Sequence, residues 1–460
     1  MPFSAQDHLH NKSQDSPTIR YGKIWALTWP VMLSGLSTPL LGAIDTAILG
    51  HLENARYLSA VAVGSSLLSI VFWLFAFLRM GATSLSARAY GANESQNIKR
   101  VLQVSLLMAF SVAFLLLALS PLYIPLGIFL MQPSESVQLL AAEYCEIRIL
   151  SAPAALANYA IAGWLIGQQR PRAILILLLF TNSTNVLLDF WFIQGLGLNS
   201  KGAAWASVCA EYSGFLLGLL LCKFRWKALT AALSTTANEQ LLTFKQSFSA
   251  LLNVNKYLFI RSAALLLAFT FFTAQGARMG DDIVAANAIL LNLLLLVSFG
   301  LDGFAHAAEA LVGSAMGAKN RALFYSACRR TFILAFALAL AYSLSIALLK
   351  TPIIYLYTDN LIIKNLLAEY WWWLVIIPVI GVSAFHLDGI YVGAGDGKTM
   401  AIIMLISVLA VYLPLWWLTS HWQNHGLWLC LCALFISRGI LQGADFVRKS
   451  QKESWLKSKT

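Results

Sequence analysis

The sequence predicts an all-α integral membrane protein: twelve transmembrane helices in two halves of six, both inserted with the same orientation. Three observations predict it. The composition is apolar, segments of bilayer length recur along the chain, and the two halves match at a constant offset of 226 residues. With 59% hydrophobic residues, 12% charged residues and a mean hydropathy of +0.70, the 460-residue chain is too apolar for a soluble protein. The formal charge of +11 is carried by short connections between apolar runs. That distribution sets membrane orientation and excludes a nucleic-acid surface. The residues before Lys23 have neither an apolar core nor a small-residue cleavage site, so they read as a cytoplasmic tail and not a signal peptide.

Each apolar run is long enough for a hydrocarbon core of roughly 30 Å. The spans are expected near 23–50, 58–84, 101–126, 141–166, 173–195, 203–222, 248–277, 284–312, 332–349, 366–394, 399–420 and 426–446. With the N-terminus inside, the inner segments hold 22 Lys or Arg and the outer loops five: Arg56, Lys201, Arg278, Lys350 and Lys364. Both termini are therefore expected in the cytoplasm. The organisation follows: a tail over 1–22, a first lobe over 23–222, a cytoplasmic linker over 223–247, a second lobe over 248–446 and a basic tail over 447–460.

The offset aligns residues 58–93 with 284–319 without a gap and pairs Gly91-Ala92 with Gly317-Ala318. Further along it pairs Glu143-Tyr144 with Glu369-Tyr370, and Gly163 and Gly167 with Gly389 and Gly393. Six spans per repeat is an even number, which makes the repeats parallel. Halves of this kind face each other across a cleft that opens alternately to the two sides.

The most informative stretch is Pro30 to His51 in span one, which carries Pro30, Gly35, Pro39, Gly42 and an acid, Asp45. An ionised carboxylate within a membrane costs a few kcal/mol, on the order of 3, so intramembrane acids mark function. Proline removes a backbone donor and lets the helix bend. A titratable group on a bendable helix suits a proton-driven switch, with Pro30, Pro39 and Gly35 as its hinge. Asp45 lies about 8 Å from the outer end of its span, and Asp189 about 9 Å from the outer end of span five. Their matched depth points to a shared site, and Asn185 precedes Asp189 by one turn on the same face. At the offset, Asp45 falls on Phe271 and Asp189 falls within YLPLWW, so these acids belong to the first half alone.

The patterns ALTWP…GAIDTAILGHL, RMGATSLSARAYGAN and LSAPAALAN in the first half resemble the multidrug and toxic compound extrusion (MATE) transporters. LDGFAHAAEALVGSAMGAKN in span eight resembles their DinF-type bacterial branch. The resemblance runs from about residue 20 to residue 445. It implies a cation-coupled antiporter that exports organic, often cationic, compounds across the bacterial inner membrane, with two lobes around a V-shaped cavity. The family's first-span Asp and fifth-span Asn-x-x-x-Asp match Asp45, and Asn185 with Asp189. Its first-span Pro matches Pro30 and its fourth-span Asn matches Asn158. The branch leans towards protons, and sodium stays open. The expected partners are small organic molecules, the coupling ion and the bilayer; the protein is expected to be a monomer without nucleic acid or cofactor.

Asp302, His306 and Glu309 share one face of span eight, as a second protonation site or as a polar stripe paired with Arg261 or Arg438. Arg79 is placed to snorkel, Arg148 can pair with one of several acids, and Glu211 has no sequence explanation. Trp371, Trp372, Trp373, Trp416, Trp417 and Trp422 read as interfacial anchors. The six cysteines show no ligand spacing and read as packing residues, with no metal site. A flippase for lipid-linked substrates would call for more cations in the cleft. An enzyme would need a nucleophile–base or metal constellation that the sequence does not contain.

Overall fold

The structure, a computed structural model, describes residues 18–52, 54–232 and 242–455; the side chains of 38–40, 43 and 227–232 lie outside that description. Every regular element among the described residues is helical. The first half comprises α1 (Tyr21–Gly50), α2 (Ala55–Leu74), α3 (Phe77–Gly91), α4 (Ser95–Met131), α5 (Glu135–Arg148), α6 (Ala152–Gly167), α7 (Pro171–Asp189) and α8 (Asn199–Ala232). The second comprises α9 (Phe244–Ala277), α10 (Asp281–Gly317), α11 (Arg321–Leu348), α12 (Lys350–Tyr357), α13 (Leu361–Gly393), α14 (Gly397–Ile406), α15 (Leu413–Thr419) and α16 (Gln423–Gln451). Ten helical stretches among the described residues have the length and apolarity to cross a membrane. The stretch Gly397–Gln451 counts as one of these although it turns back at Ser420–Trp422.

The helices outrun the apolar runs that announce them. The linker expected from 223 is helical as far as Ala232, and α9 begins at Phe244 behind a Thr243–Gln246 capping box. The basic tail expected from 447 is also folded in part. Helix α16 continues to Gln451, and Trp455 packs on Phe324, Tyr391 and Phe446. Charged residues there cover a buried aromatic, which hydropathy does not reveal.

Four helices end in the same way. After α3, α6, α10 and α13 the chain turns through a left-handed residue: Asn93, Gln169, Lys319 and Gly395. Each turn is closed by the same two backbone bonds, such as Glu94 N to Ala89 O (3.0 Å) and Asn320 N to Ala315 O (3.0 Å). These four positions fall into two pairs, 93 with 319 and 169 with 395, each 226 residues apart. The contacts of small residues fall into the same register. A Cβ on Gly163 would collide with the Arg79 carbonyl oxygen, and one on Gly389 with that of Ala305.

The halves meet where α3 faces α10. Gly91 lies on the Ser314 carbonyl, and Gly317 lies on the Arg88 carbonyl. Only glycine allows backbones this close. Helix α1 reaches the second half through Gly35 against Phe299 and through Met32 and Thr28 against Gly303. The stretches Glu135–Gly167 and Leu361–Gly393 are the most buried, at 78% and 61% of their apolar windows, so they form the centres of the two halves. Of the expected tryptophan anchors, Trp372, Trp417 and Trp422 are exposed. Trp371 is fully buried, and its indole donates to the Ile346 carbonyl at 2.9 Å. Five cysteines are buried as packing residues; Cys209 is exposed and does not fit that expectation.

Candidate functional site

Helix α1 runs through Pro30 without interruption and brings Asp45 to a wall shared with α7. Helix α7 opens on Pro171, and Asp189 is its last regular residue before a widened π turn over Phe190–Gly195. Such turns displace the ladder locally and often mark functional positions. The apolar face of α7 carries Thr181, Asn185 and Asp189 inward one turn apart, and all three are buried. The Asp45 and Asp189 carboxyls lie within hydrogen-bond reach of each other. No N–H or hydroxyl donor satisfies either Asp189 oxygen, nor Oδ1 of Asp45. Two ionised carboxylates in this position repel; one proton between them converts the repulsion into a hydrogen bond.

Beside the pair is a cavity of about 320 Å³, walled by α1, α2, α5, α7 and α8. Asp45, Asn182, Asn185, Arg148 and Glu211 line it, with Phe72 and Tyr144 supplying aromatic surface. Asn185 donates to Ser207 Oγ at 3.4 Å and Asn182 to Ser37 Oγ at 3.0 Å, which ties α7 to α8 and α1. Asn158 reaches the cavity indirectly. Its amide donates to Glu211 Oε2 at 3.0 Å, and Arg148 lies 3.8 Å from Glu211 Oε1. These bonds account for Glu211 and give Arg148 its acid. The sequence shows both residues but offers no signal that they share a wall with Asp45.

At the hinge, Gly35 is packed against Phe299, and the side chain of Pro39 lies outside the described residues. The equivalent region of the second half is aromatic. Phe271 meets Tyr412 and Trp416 edge-on, with ring centroids 5.8 and 6.2 Å apart.

The residues of span eight divide between partners. Glu309 is buried and accepts from Arg79 at 3.0 Å across the joint between the halves, so Arg79 does not snorkel. His306 Nδ1 contacts the Asp302 carbonyl on its own helix at 2.5 Å. Arg261 and Arg438 make no ion pair with this stripe and act on Asp302 only through space. Both bond to Asp388, which also accepts from Gln442 at 2.7 Å. His386, two residues from Asp388, bonds instead to Thr331 at 2.7 Å, so the two do not act together. Near the start of the central helices, Glu143 pairs with Lys201 at 3.3 Å and Glu369 with His425 at 3.2 Å. Among the described residues no group of three or more His, Cys, Asp or Glu is placed to hold a metal ion.

Comparison with known proteins agrees with this architecture. The MatE family model matches residues 30–191 and again 258–418. The chain is 38% identical over 439 residues to the DNA damage-inducible protein F of Escherichia coli K12, covering 94% of this chain and 93% of that one. It superposes on a MATE transporter solved in a bent conformation, with TM-score 0.82, 20% identity and 94% and 95% coverage. It also superposes on one solved in a straight conformation, with TM-score 0.80, 21% identity and 95% and 96% coverage. This multi-pass membrane protein belongs to the MatE family of multidrug and toxic compound efflux transporters.

Proposed function

We propose that the protein is a proton-driven antiporter that exports organic cations across the bacterial inner membrane by alternating access, with Asp45 and Asp189 as the coupling pair. The observation that carries this reading is the donor-poor contact between Asp45, which lines a cavity, and the buried Asp189. One proton relieves the pair, so its arrival and departure have structural consequences. Asn185 orients the Asp189 face of α7, and Asn158 acts through Glu211.

Twelve spans in two lobes, divided in the 223–247 connection and with both termini cytoplasmic, form the frame of this reading. The double match of the family model supports the repeat, as do the paired left-handed turns and the reciprocal glycine contacts at the joint. The switch is a bend of α1 at Pro30 and Gly35 that packs Asp45 against α7 and closes the first-half cavity. The bent and straight MATE structures support a hinge in this fold. Asp302, with Arg79 and Arg261 nearby, belongs to the polar joint between the halves and not to the coupling site.

Purified protein in liposomes tests the proposal, with a proton gradient and a sodium gradient imposed separately. Export of an organic cation driven by the proton gradient alone is expected. Export driven only by sodium, or lipid translocation without cation export, would replace it.

A further inference from the structure

We propose that Arg148 is the counter-ion that carries the protonation state of Asp45 across the first-half cavity to Glu211; this rests on the reading of Asp45 as a coupling acid. Arg148 ends α5, where the helix tightens through Ile149–Ser151, and its guanidinium donates to Ser151 Oγ. It lies over the Phe72 ring, 5.4 Å from the centroid. Its distance to Glu211 Oε1 is 3.8 Å, about an ångström longer than a charge-assisted hydrogen bond. The same guanidinium lines the cavity together with Asp45 and is within electrostatic reach of it. One cation therefore shares a cavity with two acids and makes a full hydrogen bond with neither.

The other groups around Asp45 leave this role to Arg148. Helix α7 presents Asp189, α5 presents Tyr144 besides Arg148, and α8 presents Glu211 across the cavity. Helix α2 lines the cavity with Ser65, Ser69 and apolar side chains. On α1 itself, His51 turns back onto the Ala47 carbonyl at 2.6 Å. Helix α10 meets α1 lower down, at Gly35 and Met32. While Asp45 is ionised, both acids attract the guanidinium. Once Asp45 takes a proton, Glu211 is the stronger partner, and closing the 3.8 Å gap draws α8 towards α5. Glu211 is anchored by Asn158 on α6, so the displacement reaches a third helix.

The test is the pH profile of export by the full-length protein in liposomes, read for wild type, Arg148→Gln, Arg148→Lys, Glu211→Gln and the Arg148→Gln/Glu211→Gln pair. Removing the cation favours protonated Asp45, so Arg148→Gln should move the pH midpoint upward by about one unit. Arg148→Lys, which keeps the charge, should stay near wild type. Glu211→Gln leaves the guanidinium to Asp45 and should move the midpoint downward, an effect that should vanish in the double variant. Unmoved midpoints, or shifts of the same sign in the two single variants, would overturn the inference. If Arg148→Gln does not insert, a Glu211→Gln midpoint at or above wild type overturns it alone. A wild-type pH profile in Asp45→Asn would instead remove the reading beneath it.

Discussion

Asp189 and Asp388 are both buried aspartates, 1% and 8% exposed, in equally apolar helices. Their surroundings are opposite. Asp388 is bonded by Arg261, Arg438 and Gln442, while Asp189 faces only another acid. Burial of a charge is tolerated when donors compensate for lost water. Asp388 meets that condition and needs no function to explain it. Asp189 does not, and an acid held without donors suits a group that must exchange a proton. Donor count, and not burial, separates the two.

Asp45→Asn should break the comparison most strongly: export driven by a proton gradient should fall to background while expression and insertion stay normal. Wild-type efflux from this variant would end the assignment. Asp189→Asn should reduce export by about a hundredfold or more, the range in which general acid–base groups act, and leave thermal stability unchanged or raised, because an amide removes an uncompensated charge. A large drop in melting temperature would put Asp189 in the same class as Asp388. For Asp388→Asn the order reverses. Two buried guanidinium groups lose their anion, and unfolding in detergent should show a loss of about 3 kcal/mol. Phe271→Leu, at the position equivalent to Asp45, loses ring contacts but no titratable group and should change export by less than about twofold, far less than the loss of a general acid–base group. A loss as large as that of Asp45→Asn would mean that coupling is shared by both halves.

Much of this arrangement can be read from the residues themselves. Matched depth brings Asp45 and Asp189 to one level, and helical spacing puts Asn185 on the face of Asp189; Asp45 and Asn185 line the cavity, and Asp189 is buried one turn beyond Asn185. Partners on other helices are harder to read, because periodicity gives a residue's face but not the neighbour it meets. Arg261 and Arg438 are compatible in sequence with pairing to the Asp302 stripe, yet their ion pairs go to Asp388. Arg79 stands near a span end, where snorkelling is the ordinary outcome, yet Glu309 holds it inside. His386 and Asp388 are two residues apart, which points them about 200° apart on a helix, and they bond to different partners. The folded end of α16 gives no hydropathy signal, because its charges conceal the aromatic cluster that Trp455 joins.

The joint between α3 and α10 has a further consequence. Gly91 rests on the residue equivalent to Arg88, and Gly317 rests on Arg88 itself. This is the self-complementary form that two copies of one subunit adopt about a two-fold axis. Within a single chain, the two faces of such a contact no longer have to change together. In a dimer of identical subunits a substitution appears at both positions at once, whereas within one chain each half can vary alone. That freedom accounts for an acid pair in one half opposite packed rings in the other, with the joint between them still close to symmetric.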